Sequence, residues 1–124
     1  MYTALVLDEF SRELLLSKFT LIKDQEPLAH HMTVCMGSSI DKYPGLLGQS
    51  FDLQVITVAQ SLQVVAVGVK TDCPSSNARK HITVCVNRAL GGKPVMSNNL
   101  TEWKDWAEWK DSTVLLHGTV KECQ

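Results

Sequence analysis

Two near-copies of one hexapeptide decide how this chain is expected to fold. They are His31-Met32-Thr33-Val34-Cys35-Met36 and His81-Ile82-Thr83-Val84-Cys85-Val86, and both read histidine, apolar, threonine, apolar, cysteine, apolar. Because successive side chains of a β-strand point to opposite faces, each copy has a polar face and an apolar face. The pattern predicts two equivalent β-strands that face each other across one cleft.

The polar faces of these two strands carry the predicted chemistry. In the first copy, His31, Thr33 and Cys35 are expected on one face, and the apolar residues between them pack on a helix behind the strand. The imidazole and the hydroxyl are then about 7 Å apart along the strand. Two such strands would offer two imidazoles and two hydroxyls to one small anion, which suffices for acid–base chemistry on a phosphodiester without a metal ion.

With its two His-x-Thr motifs, each in a β-like context, the chain resembles the two-histidine (2H) phosphoesterase superfamily. That superfamily includes RNA 2′,3′-cyclic phosphodiesterases and the so-called 2′-5′ RNA ligases. The resemblance implies an α+β, bilobal fold, with two antiparallel sheets, flanking helices and a central cleft, formed by residues 1–124 as one domain. The chain is short for the superfamily and its motifs are close together, so some peripheral elements are expected to be missing.

The resemblance also implies an enzymatic function for the paired motifs. It implies a metal-independent phosphodiesterase, with no cofactor, that acts on nucleotide 2′,3′-cyclic phosphates or RNA ends. His31 and His81 are then the catalytic acid and base, in an order that the sequence leaves open, while Thr33 and Thr83 bind the phosphate. Alternatives are cleavage of cyclic oligonucleotide signals and a non-catalytic RNA-binding module.

Several residues outside the motifs are candidates for further substrate contacts. Arginine suits bidentate phosphate binding, and tryptophan can stack on a base. The alternative roles are ordinary loop polarity and core packing. Cations also outnumber acids between residues 70 and 93, where the alternative is a solvated surface. The candidate contacts are Ser76, Asn77, Arg79, Lys80 and Trp103, and the cations are Lys70, Arg79, Lys80, Arg88 and Lys93.

Zinc is the main chemical rival, because histidine and cysteine repeat together. Zinc ligands must lie about 2.3 Å from one ion, whereas His31 and Cys35 are about 13 Å apart along a strand. A catalytic cysteine is a further alternative, although no cysteine has a sequence cue for a lowered pKa and buried packing is the common role. His30 is expected on the opposite face from His31, and His117 has no partner motif.

Length and composition place limits on the class of protein. The 124 residues predict one domain, 44% of residues are apolar, and the formal net charge of −1 leaves no overall basic surface for long nucleic acid. The four cysteines have no C-x-x-C spacing, and neither a secretory signal nor a membrane span is recognised. We expect a reduced, cytoplasmic protein, with RNA or a small nucleotide as partner and no membrane, that is compatible with being part of a larger RNA-processing enzyme.

The remaining sequence predicts alternating strands and helices around the two motifs. Asp8 is the expected N-cap of the first helix, and Val and Ile enrichment indicates a central hairpin. The predicted elements are a strand at 2–7, a helix at 9–19, a polar connection at 23–27, a loop at 37–50, a hairpin of strands 51–60 and 62–70, a loop at 71–80, a turn at 91–94, a short extended segment at 95–99, a helix at 100–110 and a strand at 113–121.

Overall fold

The computed structural model describes residues 1–38, 41–110 and 112–124, so part of the predicted 37–50 loop lies outside the described residues. The strands are β1 (Tyr2–Leu7), β2 (Gln25–Pro27), β3 (His31–Met36), β4 (Ser50–Gln60), β5 (Val64–Lys70), β6 (His81–Asn87), β7 (Lys104–Asp105) and β8 (Leu115–Cys123). The helices are α1 (Glu9–Ser17) and the single turn α2 (Trp106–Trp109), with 3-10 segments at Arg88–Leu90 and Pro94–Asn99.

These strands form one closed antiparallel barrel, not two lobes. Its order is β6-β3-β1-β8-β4-β5, and pairing of β5 with β6 closes the ring. β2 pairs with β6 and β7 with β4, outside the ring. The predicted bilobal α+β fold is therefore wrong: the described chain is 42% strand and 18% helix. The reason is that β3 and β6, expected to face each other across a cleft, are hydrogen-bonded neighbours through Met32 and Ile82.

The barrel interior is filled by apolar side chains from successive strands. Five register pairs join six of these side chains in a belt that runs from Val58 on β4 to Val120 on β8, which are not themselves paired, and each side chain is at most 5% exposed. Burial of one such side chain contributes about 1.5–3 kcal/mol relative to leaving it in water, and closure leaves each of the six strands without a free edge. The belt consists of Leu5, Met32, Ile82, Val67, Val58 and Val120.

Both motif strands contain the same irregularity. The pairing of β3 with β1 shifts by one residue between Thr33 and Cys35, and the pairing of β6 with β5 shifts between Thr83 and Cys85. Each strand therefore has an extra residue at its fourth motif position, as in a β-bulge. The bulge ends the simple alternation of faces. Cys35, predicted beside His31, is part of the buried core cluster and also lines the outer cavity that His31 lines.

The helix predicted at 9–19 is confirmed over Glu9–Ser17, and its anchors explain its position. Asp8 caps it as predicted, with its carboxylate accepting a hydrogen bond from the Ser11 amide at 2.8 Å. The Ser11 hydroxyl accepts from the backbone amide of His117 in β8 at 2.8 Å. Leu15 is fully buried. These contacts hold α1 against the barrel, away from the motif faces.

The helix predicted at 100–110 is wrong, except for one turn at Trp106–Trp109. Lys104 and Asp105 pair with β4, so their backbone groups are drawn into the sheet and are unavailable for a helix before Trp106. The Trp106 ring is buried and its Nε1 donates to the Ser112 carbonyl at 2.9 Å. The segment predicted as extended at 95–99 instead belongs to the 3-10 segment Pro94–Asn99, which lies against β5 and β6.

Across residues 1–38, 41–110 and 112–124, none of the helices has the length and apolar character needed to cross a lipid bilayer.

Candidate functional site

A cavity of about 680 Å³ lies against the outer face of the barrel at the two motif strands. His31, Thr33, His81 and Thr83 all line it. The register explains why. Met32 is opposite Ile82 and both point into the barrel, so the flanking histidines and threonines point outward on adjacent strands. The antiparallel direction sets each histidine across from the threonine of the other motif.

His31 is half-buried and surrounded by other rings. Its centroid is 5.1 Å from that of Tyr2, and its Nδ1 is 2.9 Å from Nδ1 of His30. Burial, followed by the charges of His30 and His81, lowers the pKa of His31 from 6.5 to about 4. The pKa of His31 depends on the charge of His81 because the two motif imidazoles lie close together. His31 is therefore a neutral imidazole at neutral pH.

His81 is oriented by the backbone. Its Nδ1 lies 2.8 Å from the carbonyl oxygen of Arg79. Since a carbonyl can only accept, this nitrogen carries a proton and donates it, which leaves Nε2 as the nitrogen available to the cavity. The tautomer of His81 thus follows from its partner.

The two motif threonines differ in their partners. The Thr83 hydroxyl is 2.7 Å from the Ser97 hydroxyl and 3.4 Å from the Pro94 carbonyl oxygen, so the 3-10 segment holds it. The Thr33 hydroxyl has no hydrogen-bond partner among the described residues. Its backbone carbonyl accepts from the Ser75 hydroxyl at 2.8 Å, which docks the 75–77 loop beside β3. Thr33 therefore has the hydroxyl that is available to a ligand.

The other candidate contacts divide into two groups. Ser76 and Asn77 line the cavity. Arg79, Lys80 and Trp103 lie outside the wall formed by the described residues. Arg79 stacks on the Trp103 ring at 4.7 Å, and Lys80 Nζ donates to the Thr71 carbonyl at 2.8 Å. Ser76 and Asn77 therefore form part of the described wall, whereas Arg79 and Lys80 are engaged outside it, although the Trp103 ring on which Arg79 stacks is 6.5 Å from that of His81.

The predicted excess of cations around the second motif does not reach the cavity. No lysine or arginine is among the described residues that line it. Arg88, the first residue after β6, instead pairs with Glu26 at 2.7 Å. Much of the wall is apolar, and Met36 and Val95 lie on it with 79% and 63% of their surfaces exposed. The described wall is thus partly hydrophobic, has no lysine or arginine, and carries the three imidazoles of His30, His31 and His81.

Sequence reasoning missed several residues that line the cavity or support its threonines, and three of them bear on the chemistry. His30, predicted on the face opposite His31, lines the same cavity, because the backbone at Ala29 has a positive φ of 47° just before β3 and breaks the strand alternation. Tyr2 reaches the cavity from β1, and Ser97 supports Thr83 from a segment predicted as extended. The position of His30 directly before His31 in the sequence was the one signal that could have indicated its place at the site.

The rival chemistries have little geometric support. Among the described residues, no three histidine, cysteine or acidic side chains form a group that could hold a metal ion. Burial raises the pKa of the Cys73 thiol to about 11 and also raises that of Cys85, which disfavours the thiolate needed for nucleophilic attack. His117 lies away from the cavity, with its Nδ1 2.9 Å from Asp52.

Comparisons with known proteins leave the site to be judged by its geometry: no family model matches the chain, and no curated protein or solved structure is significantly similar to it. What the site offers is a neutral imidazole, a second imidazole with one nitrogen held by a carbonyl, and two hydroxyls in one cavity. Such a set can remove a proton at one side of a bound group and supply one at the other.

Proposed function

We propose that this protein is a metal-independent phosphodiesterase that acts on nucleoside 2′,3′-cyclic phosphates or the corresponding RNA ends. The observation that carries the proposal is that His31, Thr33, His81 and Thr83, from two repeats of one motif, line a single cavity. A pair of histidines that exchanges protons with a phosphodiester while hydroxyls bind its oxygens is a complete acid–base site.

The two histidines have different environments, which supports different roles. His31 is neutral above about pH 4, so it can accept a proton from a water molecule that attacks phosphorus. His81 acts in its doubly protonated form: it donates its Nε2 proton to the ribose oxygen as the P–O bond breaks, and it keeps its Nδ1–H on the Arg79 carbonyl. The water adds to phosphorus, the ring of the cyclic phosphate opens, and one proton has moved from His81 to product and one from water to His31.

The threonines supply donors for the non-bridging phosphate oxygens. Thr33 has its hydroxyl free of described partners and donates directly. Ser97, which is 1% exposed, can donate to the Thr83 oxygen, and the Thr83 proton then exchanges its long 3.4 Å hydrogen bond to the Pro94 carbonyl for one to the phosphate. Because β3 and β6 fix the positions of both threonines before the substrate binds, only the hydroxyl groups need to rotate as charge develops on phosphorus.

The cavity wall favours a small substrate with one phosphate. A cavity of about 680 Å³ is of the size that proteins use for small-molecule ligands. The lack of lysine and arginine on its described wall leaves few partners for a polyanion, whose binding depends on phosphate neutralisation. A cyclic mononucleotide, with one negative charge and an apolar base face, fits this wall better than a cyclic oligonucleotide.

Turnover of 2′,3′-cyclic mononucleotides in the presence of EDTA tests the proposal. The products are separated chromatographically, which also identifies the phosphate position. We expect His31→Asn and His81→Asn each to lose about 10²–10⁴-fold in kcat, and the matched control His117→Asn, outside the cavity, to keep wild-type turnover. Full activity of either motif variant would reject the mechanism, and nucleotide binding without any turnover by the wild type would support the non-catalytic alternative.

A further inference from the structure

The hydrogen bond between His30 and His31 can run in either direction, and its direction decides whether His31 can act as a base. The two Nδ1 atoms are 2.9 Å apart, which is hydrogen-bond distance. One nitrogen must donate and the other must accept. If His30 donates, neutral His31 carries its own proton on Nε2 and has no lone pair there. If His31 donates, its Nε2 lone pair is free.

We propose that His30 is a positioning residue that accepts the Nδ1–H of His31 and so keeps the base lone pair on Nε2. The inference rests on the proposed function for its catalytic meaning, although the tautomer itself is a property of the free protein. In this arrangement His30 acts through His31 and touches no reacting atom. His30 lies at the cavity because the positive φ of Ala29 turns residue 30 to the same side of the barrel as His31.

The second motif shows why His31 is the donor. There His81 donates its Nδ1–H to the carbonyl of Arg79, two residues before it. The residue two before His31 is Ala29, whose left-handed backbone departs from the extended path, and no hydrogen bond joins its carbonyl to His31 among the described residues. The side chain of His30 takes the place of that carbonyl. Both motif histidines then have Nδ1 engaged and Nε2 available.

Backbone contacts hold His30 in position for this role. Its carbonyl accepts from the Leu7 amide of β1 at 2.9 Å, and the preceding Ala29 amide donates to the Thr83 carbonyl at 3.0 Å. The rings of His30 and His31 meet nearly edge-on, at 81°, with centroids 5.1 Å apart. The partner of His31 is thus tied to the strands on both sides of the site.

The arrangement makes the base sensitive to protonation of its partner. Protonated His30 can only donate, so His31 would have to accept at Nδ1 and its remaining proton would lie on Nε2. The other titratable side chains on the described wall are Tyr2 from β1, Cys35 from β3 and His81 from β6. Tyr2 stays neutral from acid to neutral pH, since burial and Cys123 raise its pKa.

Long-range ¹H–¹⁵N spectra of the histidine side chains test the tautomer without substrate. At about pH 7.5 we expect wild-type His31 to show a protonated Nδ1 and an unprotonated Nε2, with the resonances assigned from His31→Asn. His30→Gln keeps an acceptor and preserves this pattern, whereas His30→Lys can only donate and reverses it. His117→Gln is the control that leaves it unchanged. A wild-type His31 with its proton on Nε2 would overturn the proposal, whatever the activity.

Kinetics separate this role from a structural one. His30→Ala is expected to lower kcat about 10–100-fold with KM little changed, His30→Gln to recover most of kcat, and His30→Lys to lose at least as much as alanine. The acid limb of the kcat profile should change in the variants. Equal kcat for all three variants in a turning-over enzyme would refute a positioning role. Absence of turnover with the expected tautomer would instead refute the phosphodiesterase.

Discussion

The depressed pKa of His31 predicts a specific loss of stability in acid. Folding lowers this pKa from 6.5 to about 4, mainly because burial disfavours the charged ring. Between these two values the unfolded chain binds more protons at His31 than the folded protein does. The free energy of unfolding must therefore fall as the pH is lowered from 6.5 towards 4, and the His31 contribution levels off below that range.

The magnitude follows from the linkage relation. With the two pKa values above, the contribution of His31 changes by about 2.5 kcal/mol between about pH 7.5 and about pH 4.5. Water still reaches the half-buried ring, so we expect about 1–2 kcal/mol in practice. His31→Gln, which has no titrating ring, should be stabilised relative to wild type by this amount when the pH is lowered across the same range.

Urea unfolding followed by tryptophan fluorescence, at several pH values, measures the difference. Other groups also titrate in this range, so the quantity of interest is wild type minus His31→Gln. Thr33→Ser is the matched control, since it alters the same cavity without changing a titratable group, and should keep the wild-type slope. If wild type and His31→Gln lose stability in parallel between these pH values, the assigned environment of His31 is wrong.

Two further substitutions test the barrel and the site separately. A Cβ added at Gly118 would lie 2.7 Å from the Val6 carbonyl oxygen on the neighbouring strand. Gly118→Ala should therefore lower the free energy of unfolding by about 1–3 kcal/mol. Unchanged urea midpoints would contradict the close pairing of β1 with β8. Thr33→Val keeps the shape but removes the unpartnered hydroxyl and should lower kcat on a cyclic mononucleotide about 100-fold, whereas Thr33→Ser should retain most of it; equal rates for both would exclude a donor role.

Local patterns in the sequence were sufficient for most of the strands and for the placing of the motif side chains. The alternation in residues 31–34 and 81–84 predicted which side chains share a face, and Asp8 predicted the start of α1. The four motif side chains do line one cavity. These features depend on neighbouring residues and on the two-residue period of a strand, which can be read from one stretch of chain. The roles assigned to the side chains stay predictions.

The tertiary structure alone decided the closure of the barrel and the detailed wall of the site. Pairing of β3 with β6 and of β1 with β8 joins segments far apart in sequence, and no local pattern specifies such partners. The left-handed backbone at Ala29 brought His30 to the cavity, and Arg79 stacks on Trp103 without joining the described wall. Each outcome depends on which distant backbone groups compete for a hydrogen bond or a packing position, and that competition is settled only when the chain is folded.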